Sequence, residues 1–146
     1  MPTARNFFTE QEQKSLIAAI TQAELHTSGE IRLHMENFCF GNEVKTAQKV
    51  FAKLGMHTTA ERNGVLIYIA TLSRKVAIIG DQGIHEKLGS DYWEKLVADL
   101  IQQFKAEKKA PALAGAIIEC GQQLGKFFPL KDDDKNELSN NISYKR

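Results

Sequence analysis

Three carboxylates are the residues of this chain best placed for chemistry. Glu30 opens an alternating segment directly after Ser28-Gly29, Asp81 stands between Gly80 and Gln82-Gly83, and Asp91 follows Ser90 at the start of an amphipathic stretch. Ser28 and Asn63 can add neutral oxygens, directly or beside backbone carbonyls. A set made only of oxygen suits a hard divalent cation, Ca2+ or Mg2+, rather than zinc. Carboxylates gathered in one place repel each other, and a divalent ion offsets that repulsion. The expected metal ligands are therefore Glu30, Asp81, Asp91, Asn63 and Ser28. Plainer roles exist for the same side chains. Glu30 can open a strand and pair with Arg62, Asp81 can stabilise its own turn, and Asp91 can complement a helix dipole.

Other chemistries fail on spacing. Gly80-Asp81-Gln82-Gly83 is no dinucleotide fingerprint and no Walker lysine follows it. Cys39 and Cys120 each have a lysine six positions on (Lys45, Lys126), where a cysteine phosphatase needs an arginine to clamp phosphate. Neither cysteine belongs to a CxxC pair, so both read as buried thiols in a reducing compartment. His26, His34, His57 and His85 lack any metal-binding spacing, and surface or structural places are expected for them; His57 and His85 could still neighbour the carboxylates. Asp132-Asp133-Asp134 lacks the alternation and glycine of a calcium loop.

Elements must bring these residues together. Thr9 and Glu12 form a capping box ahead of Leu16, Ile17, Ile20 and Ala23, which predicts a helix over about residues 10–25. Residues 30–36 alternate between polar and apolar, as a strand with one buried face does. Asn42 caps a second helix carrying Val44, Ala47, Val50, Phe51 and Leu54, which Gly55 stops. Residues 65–70 are apolar on both faces, the pattern of a central strand, and residues 76–80 return after a short polar turn. Asp81-Gln82-Gly83 reads as a tight loop and residues 84–88 as a short helical turn. Ser90 is the expected cap of a third helix with Trp93, Leu96, Val97, Leu100, Ile101 and Phe104. A fourth runs through Leu113, Ile117, Cys120, Leu124 and Phe127, its glycines allowing a close neighbour.

The first two strands are separated by 27 residues that hold a helix, a connection that makes them parallel with a right-handed crossover. The third strand then returns antiparallel. The expected fold class is α/β: an α/β/α sandwich with a small mixed β-sheet, a parallel crossover followed by an antiparallel hairpin, flanked by about four helices. In that topology the starts of strands one and two and the end of strand three share one edge. Ser28, Gly29 and Glu30 should meet Arg62, Asn63 and Gly64, and both groups should meet Gly80 and Asp81.

Composition bounds the rest. The chain has 146 residues, 42% hydrophobic and 25% charged, enough for one compact domain with a real core. Nineteen basic against eighteen acidic residues leave a net charge of +1, which argues against nucleic acid as a partner, since phosphate affinity needs a basic surface. No apolar h-region marks a signal peptide at the N-terminus, and residues 65–72 fall far short of the ~20 residues that span a bilayer. A cytoplasmic protein without membrane insertion is expected. Residues 1–8 read as an N-terminal arm, 9–128 as the domain, and the polar segment 129–146 as a disordered tail.

The blocks Thr27-Ser28-Gly29-Glu30-Ile31-Arg32, Arg62-Asn63-Gly64-Val65-Leu66-Ile67 and Arg74-Lys75-Val76-Ala77-Ile78-Ile79-Gly80-Asp81-Gln82-Gly83-Ile84, followed by Trp93, resemble the TPM domain. That family comprises thylakoid-lumen phosphatase-like proteins, photosystem II repair relatives and many bacterial proteins. The resemblance spans roughly residues 8–128 and implies an α/β/α sandwich. It also implies divalent-ion binding, notably Ca2+, near the matched loops, and acid phosphatase activity as in plant members. In a metal-assisted phosphatase Asp81 would be the prime ligand, and Arg62 would steady phosphate charge. Common members carry a signal peptide, a membrane helix and a Gly-rich tail, none of which is expected from the residues of this sequence. Two functions are expected from this: a domain that binds Ca2+ or Mg2+ weakly and serves a protein partner in assembly or regulation, or a metal-dependent phosphomonoesterase.

Overall fold

The computed structural model describes residues 2–130 and 142–145. Its elements run α1 (Glu10–Glu24), β1 (Glu30–Glu36), α2 (Glu43–Lys53), a 3-10 turn (Met56–Thr58), β2 (Gly64–Ala70), β3 (Lys75–Gly80), α3 (Gln82–Leu88), α4 (Ser90–Lys105), α5 (Lys109–Phe127) and β4 (Ser143–Tyr144). The sheet order is β3-β2-β1-β4. β1 and β2 pair in parallel and β3 returns antiparallel on β2, as the crossover and hairpin require. Helices lie on both faces, so the α/β/α sandwich is confirmed.

The two periodicities explain the layers. On one face Ile31, Leu33 and Met35 of β1 join Val65, Ile67 and Ile69 of β2 against α1, α4 and α5. On the other, Leu66, Tyr68 and Ala70 pack on Ala47 and Phe51 of α2 and on Met56. Every residue of β2 is buried, which is why it reads as apolar on both faces. α1 and α5 approach closely, because a Cβ on Gly121 would sit 2.7 Å from that of Ala23. The capping box of α1 and the Asn42 cap of α2 are both formed. Both cysteines are buried and free.

The structure adds detail to this reading and corrects the cap of α4. Five α-helices are present where about four were expected, because Asp81 is the N-cap of α3 rather than part of a loop. Ser90 does not cap α4: Gly89, at φ +80°, ends α3 and starts α4 as one joint, and Ser90 is already helical. Residues 129–146 are not wholly irregular. Pro129 bridges to Thr27, and Ser143–Tyr144 form a fourth strand parallel to β1. Residues 131–141 and 146, with Asp132-Asp133-Asp134 among them, lie outside the described residues. The N-terminal arm is also built into the core through Ala4 and Phe8.

β4 docks because β1 offers it polar partners. His34, Glu36 and Tyr68 share the α2 face of the sheet. His34 Nδ1 lies 2.8 Å from Ser143 Oγ, and its Nε2 lies 3.3 Å from Glu36 Oε1. The Tyr68 hydroxyl donates to Glu36 Oε2. The Lys145 amide donates to Met35 O at 3.2 Å, and Arg5 stacks 4.5 Å over the Tyr144 ring.

Burial holds the His34 imidazole below its ordinary value near 6.5, against the opposing pull of the Glu36 carboxylate. The folded chain therefore resists a proton that the unfolded chain accepts. This contribution to stability is complete above the ordinary histidine value and is lost as pH falls below it. Urea unfolding between about pH 7 and pH 5 should show stability declining, and His34→Gln should flatten that decline. A slope unchanged in the variant would assign the pH dependence to other groups.

Candidate functional site

The register sets the site. Glu30 is opposite Gly64 in the parallel pair, and Val65 is opposite Gly80 in the antiparallel one. The Asp81 amide donates to Gly64 O at 2.8 Å, which fixes the end of β3 beside the start of β2. The segments around residues 28–30, 62–64 and 80–82 thus meet at one rim, as the topology alone predicts.

Within that rim the side chains are paired. Asn63, buried, donates from Nδ2 to Ser28 Oγ at 3.2 Å. Arg62 grips Asp81 with two prongs, Nε to Oδ2 at 2.7 Å and a terminal nitrogen to Oδ1 at 2.8 Å. Asp81 Oδ1 also accepts the Gln82 amide at 2.8 Å and so caps α3. The Asp81 side chain is 6% exposed and that of Arg62 is 47% exposed, so a buried carboxylate is neutralised by a guanidinium reaching in from solvent. The pair holds Arg62 above its ordinary value, through the hydrogen bonds and the charge of Asp81.

Backbone geometry supports this grip. Arg62 has φ +52°, a left-handed conformation that a residue with a side chain rarely takes. Its carbonyl accepts the Gly83 amide at 2.8 Å. A Cβ on Gly83 would lie 2.4 Å from Glu61 O and 2.7 Å from Arg62 O, so only glycine lets α3 start this close to the loop.

Not every expected ligand arrives. Glu30 is buried at 3% exposure, and Arg62 makes a two-pronged pair with Asp81. Asp91 is exposed in the first turn of α4, where it complements the helix dipole. Among the described residues no group of three or more His, Cys, Asp and Glu is placed to hold a metal ion, so the three-carboxylate cluster does not form. The oxygen donors at the rim suit a hard cation, but a guanidinium already occupies the charge-compensating position at Asp81. Glu24, which the sequence did not single out, reaches from the end of α1 and accepts the Ile31 amide at 2.7 Å. His57 is exposed on the 3-10 turn, and His85 faces a groove beside β3.

Asp81→Ala removes the α3 cap and the acceptor of Arg62, and should cost about 1–2 kcal/mol in urea unfolding. Asp81→Asn keeps an oxygen for the Gln82 amide and should cost less. Equal losses in the two variants would show that the cap adds nothing.

Comparison with known proteins agrees with this architecture. The sequence matches the TPM domain family over residues 3–125. The structure is similar to the NMR structure of the BA42 protein from the psychrophilic bacterium Bizionia argentinensis sp. nov., with a TM-score of 0.86 and 39% identity, covering 95% of this chain and 96% of that one. The N-terminal domain of a protein from P. gingivalis shares the fold at a TM-score of 0.66 and 15% identity, covering 82% of this chain and 78% of that one. No curated protein matches the sequence. No helix among the described residues is long and apolar enough to cross a membrane.

Proposed function

The chain belongs to the TPM domain family, and on that footing we propose that it is a binding module that takes a divalent cation, Ca2+ or Mg2+, weakly at the rim around Glu30 and Asp81. The observation that carries this reading is the register, which sets two buried carboxylates, Glu30 of β1 and Asp81 after β3, at the same end of the sheet on either side of β2. Ser28 and Asn63 stand beside them as neutral oxygens. Weakness follows from Arg62: the cation must displace a two-pronged guanidinium before it reaches Asp81. The exposed stem of Arg62 gives it room to swing away. Exchange of one cation for another changes the charge and shape of the rim, which suits a regulatory or assembly role toward a protein partner. Two buried free thiols fit a cytoplasmic setting.

The metal-dependent phosphatase reading has less support. It needs Asp81 on a metal and Arg62 on phosphate, and here the two side chains hold each other.

Calcium and magnesium titrations followed by amide NMR test the proposal. Shifts should concentrate at residues 28–30, 62–64 and 80–82. Arg62→Ala should tighten binding by at least about threefold by removing the competing charge. Shifts absent from all three segments would refute the cation site, and weaker binding in Arg62→Ala would refute the competition.

A further inference from the structure

The two edges of the sheet are treated differently. The outer edge of β1 is covered by β4, a strand brought back from the far end of the chain. The outer edge of β3 has no strand against it among the described residues. Because the Asp81 amide points to Gly64 O, alternation turns the backbone groups of Val76, Ile78 and Gly80 outward. An edge of this length, with apolar residues from Val76 to Ile79 and no proline, is a template for another strand.

The edge is also recessed. α2 and α4 overhang it from opposite faces of the sheet and enclose a groove of about 580 Å3. Val76, Ala77, Ile78 and Ile79 form its floor. Val44 of α2 makes one wall and Trp93, Val97 and Ile101 of α4 the other. Val44 is 44% exposed, an apolar side chain left facing water. The lining carries Glu43 and Glu94 and neither lysine nor arginine.

We propose that this groove takes an extended peptide of a partner protein as a fifth strand, paired with β3, its alternate side chains apolar and with a lysine or arginine facing Glu43 or Glu94. The outward groups of Val76, Ile78 and Gly80 supply the main-chain hydrogen bonds, and the walls select the side chains. The recess decides the kind of occupant. A second copy of this chain would bring its own β3 recessed between two helices, so the two edges could not meet. A single extended segment fits between α2 and α4. The groove does not include Asp81 or Arg62, so the proposal stands apart from the cation rim.

Panning a random nonapeptide library against the full chain, in EDTA so that no divalent ion contributes, tests this. Enriched peptides, remade synthetically, should alternate apolar residues and carry a basic one. They should slow amide exchange at Val76, Ile78 and Gly80. Methylation of alternate peptide nitrogens should abolish binding. Ala98→Trp fills the groove from an exposed helix position that the core does not use, and should weaken binding by at least about tenfold while leaving the amide spectrum of the core unchanged. Failure to enrich such peptides, or enriched peptides that bind Ala98→Trp equally well, would overturn the proposal.

Discussion

The ion pair of Arg62 with Asp81 is the interaction on which the polar end of this domain depends. It joins the loop entering β2 to the cap of α3, across a separation of 19 residues. Asp81 serves two structures at once, since its Oδ1 also holds the first amide of α3. Without a positive partner that carboxylate would be buried and uncompensated, which proteins avoid by pairing, hydrogen bonding or metal coordination. The chain meets that need by pairing with a half-exposed guanidinium, the group that the proposed cation would have to displace.

The parallel crossover made this arrangement foreseeable. Alternation in residues 30–36 marks a strand, and unbroken apolarity in residues 65–70 marks a central one. Their connection dictates parallel pairing, and the short turn at residues 71–74 dictates the return. From those three facts the meeting of Ser28, Asn63 and Asp81 follows without any contact being known. Glu30 and Asp81 did come to one rim for that reason. Asp91 did not join them because a separate helix, α3, intervenes and turns the start of α4 to solvent.

What the sequence hid was hidden by non-local contacts. Ser143–Tyr144 has no apolar run to announce a strand. It docks through Ser143 on His34 and Tyr144 against Arg5 and Gln13, partners more than a hundred positions away. Asp81-Gln82-Gly83 reads as a turn because glycine near a helix start is locally unfavourable. Its reason is the backbone of Glu61 and Arg62, which leaves no room for a Cβ. His34 and Glu36 look like the solvated face of a strand. Tyr68, one strand over, buries them in a shared network.

The central claim is that Arg62 acts as the resident counter-ion of a cation site. The signal of the Arg62 Nε proton, held by Asp81, reports this directly in the full chain. Adding calcium should release that proton, so that its signal broadens or moves toward the free-arginine position in step with the amide shifts at Glu30 and Asp81. Rim amides that shift while the Arg62 Nε signal stays fixed would contradict the claim, for the cation would then bind without taking Asp81 from its guanidinium.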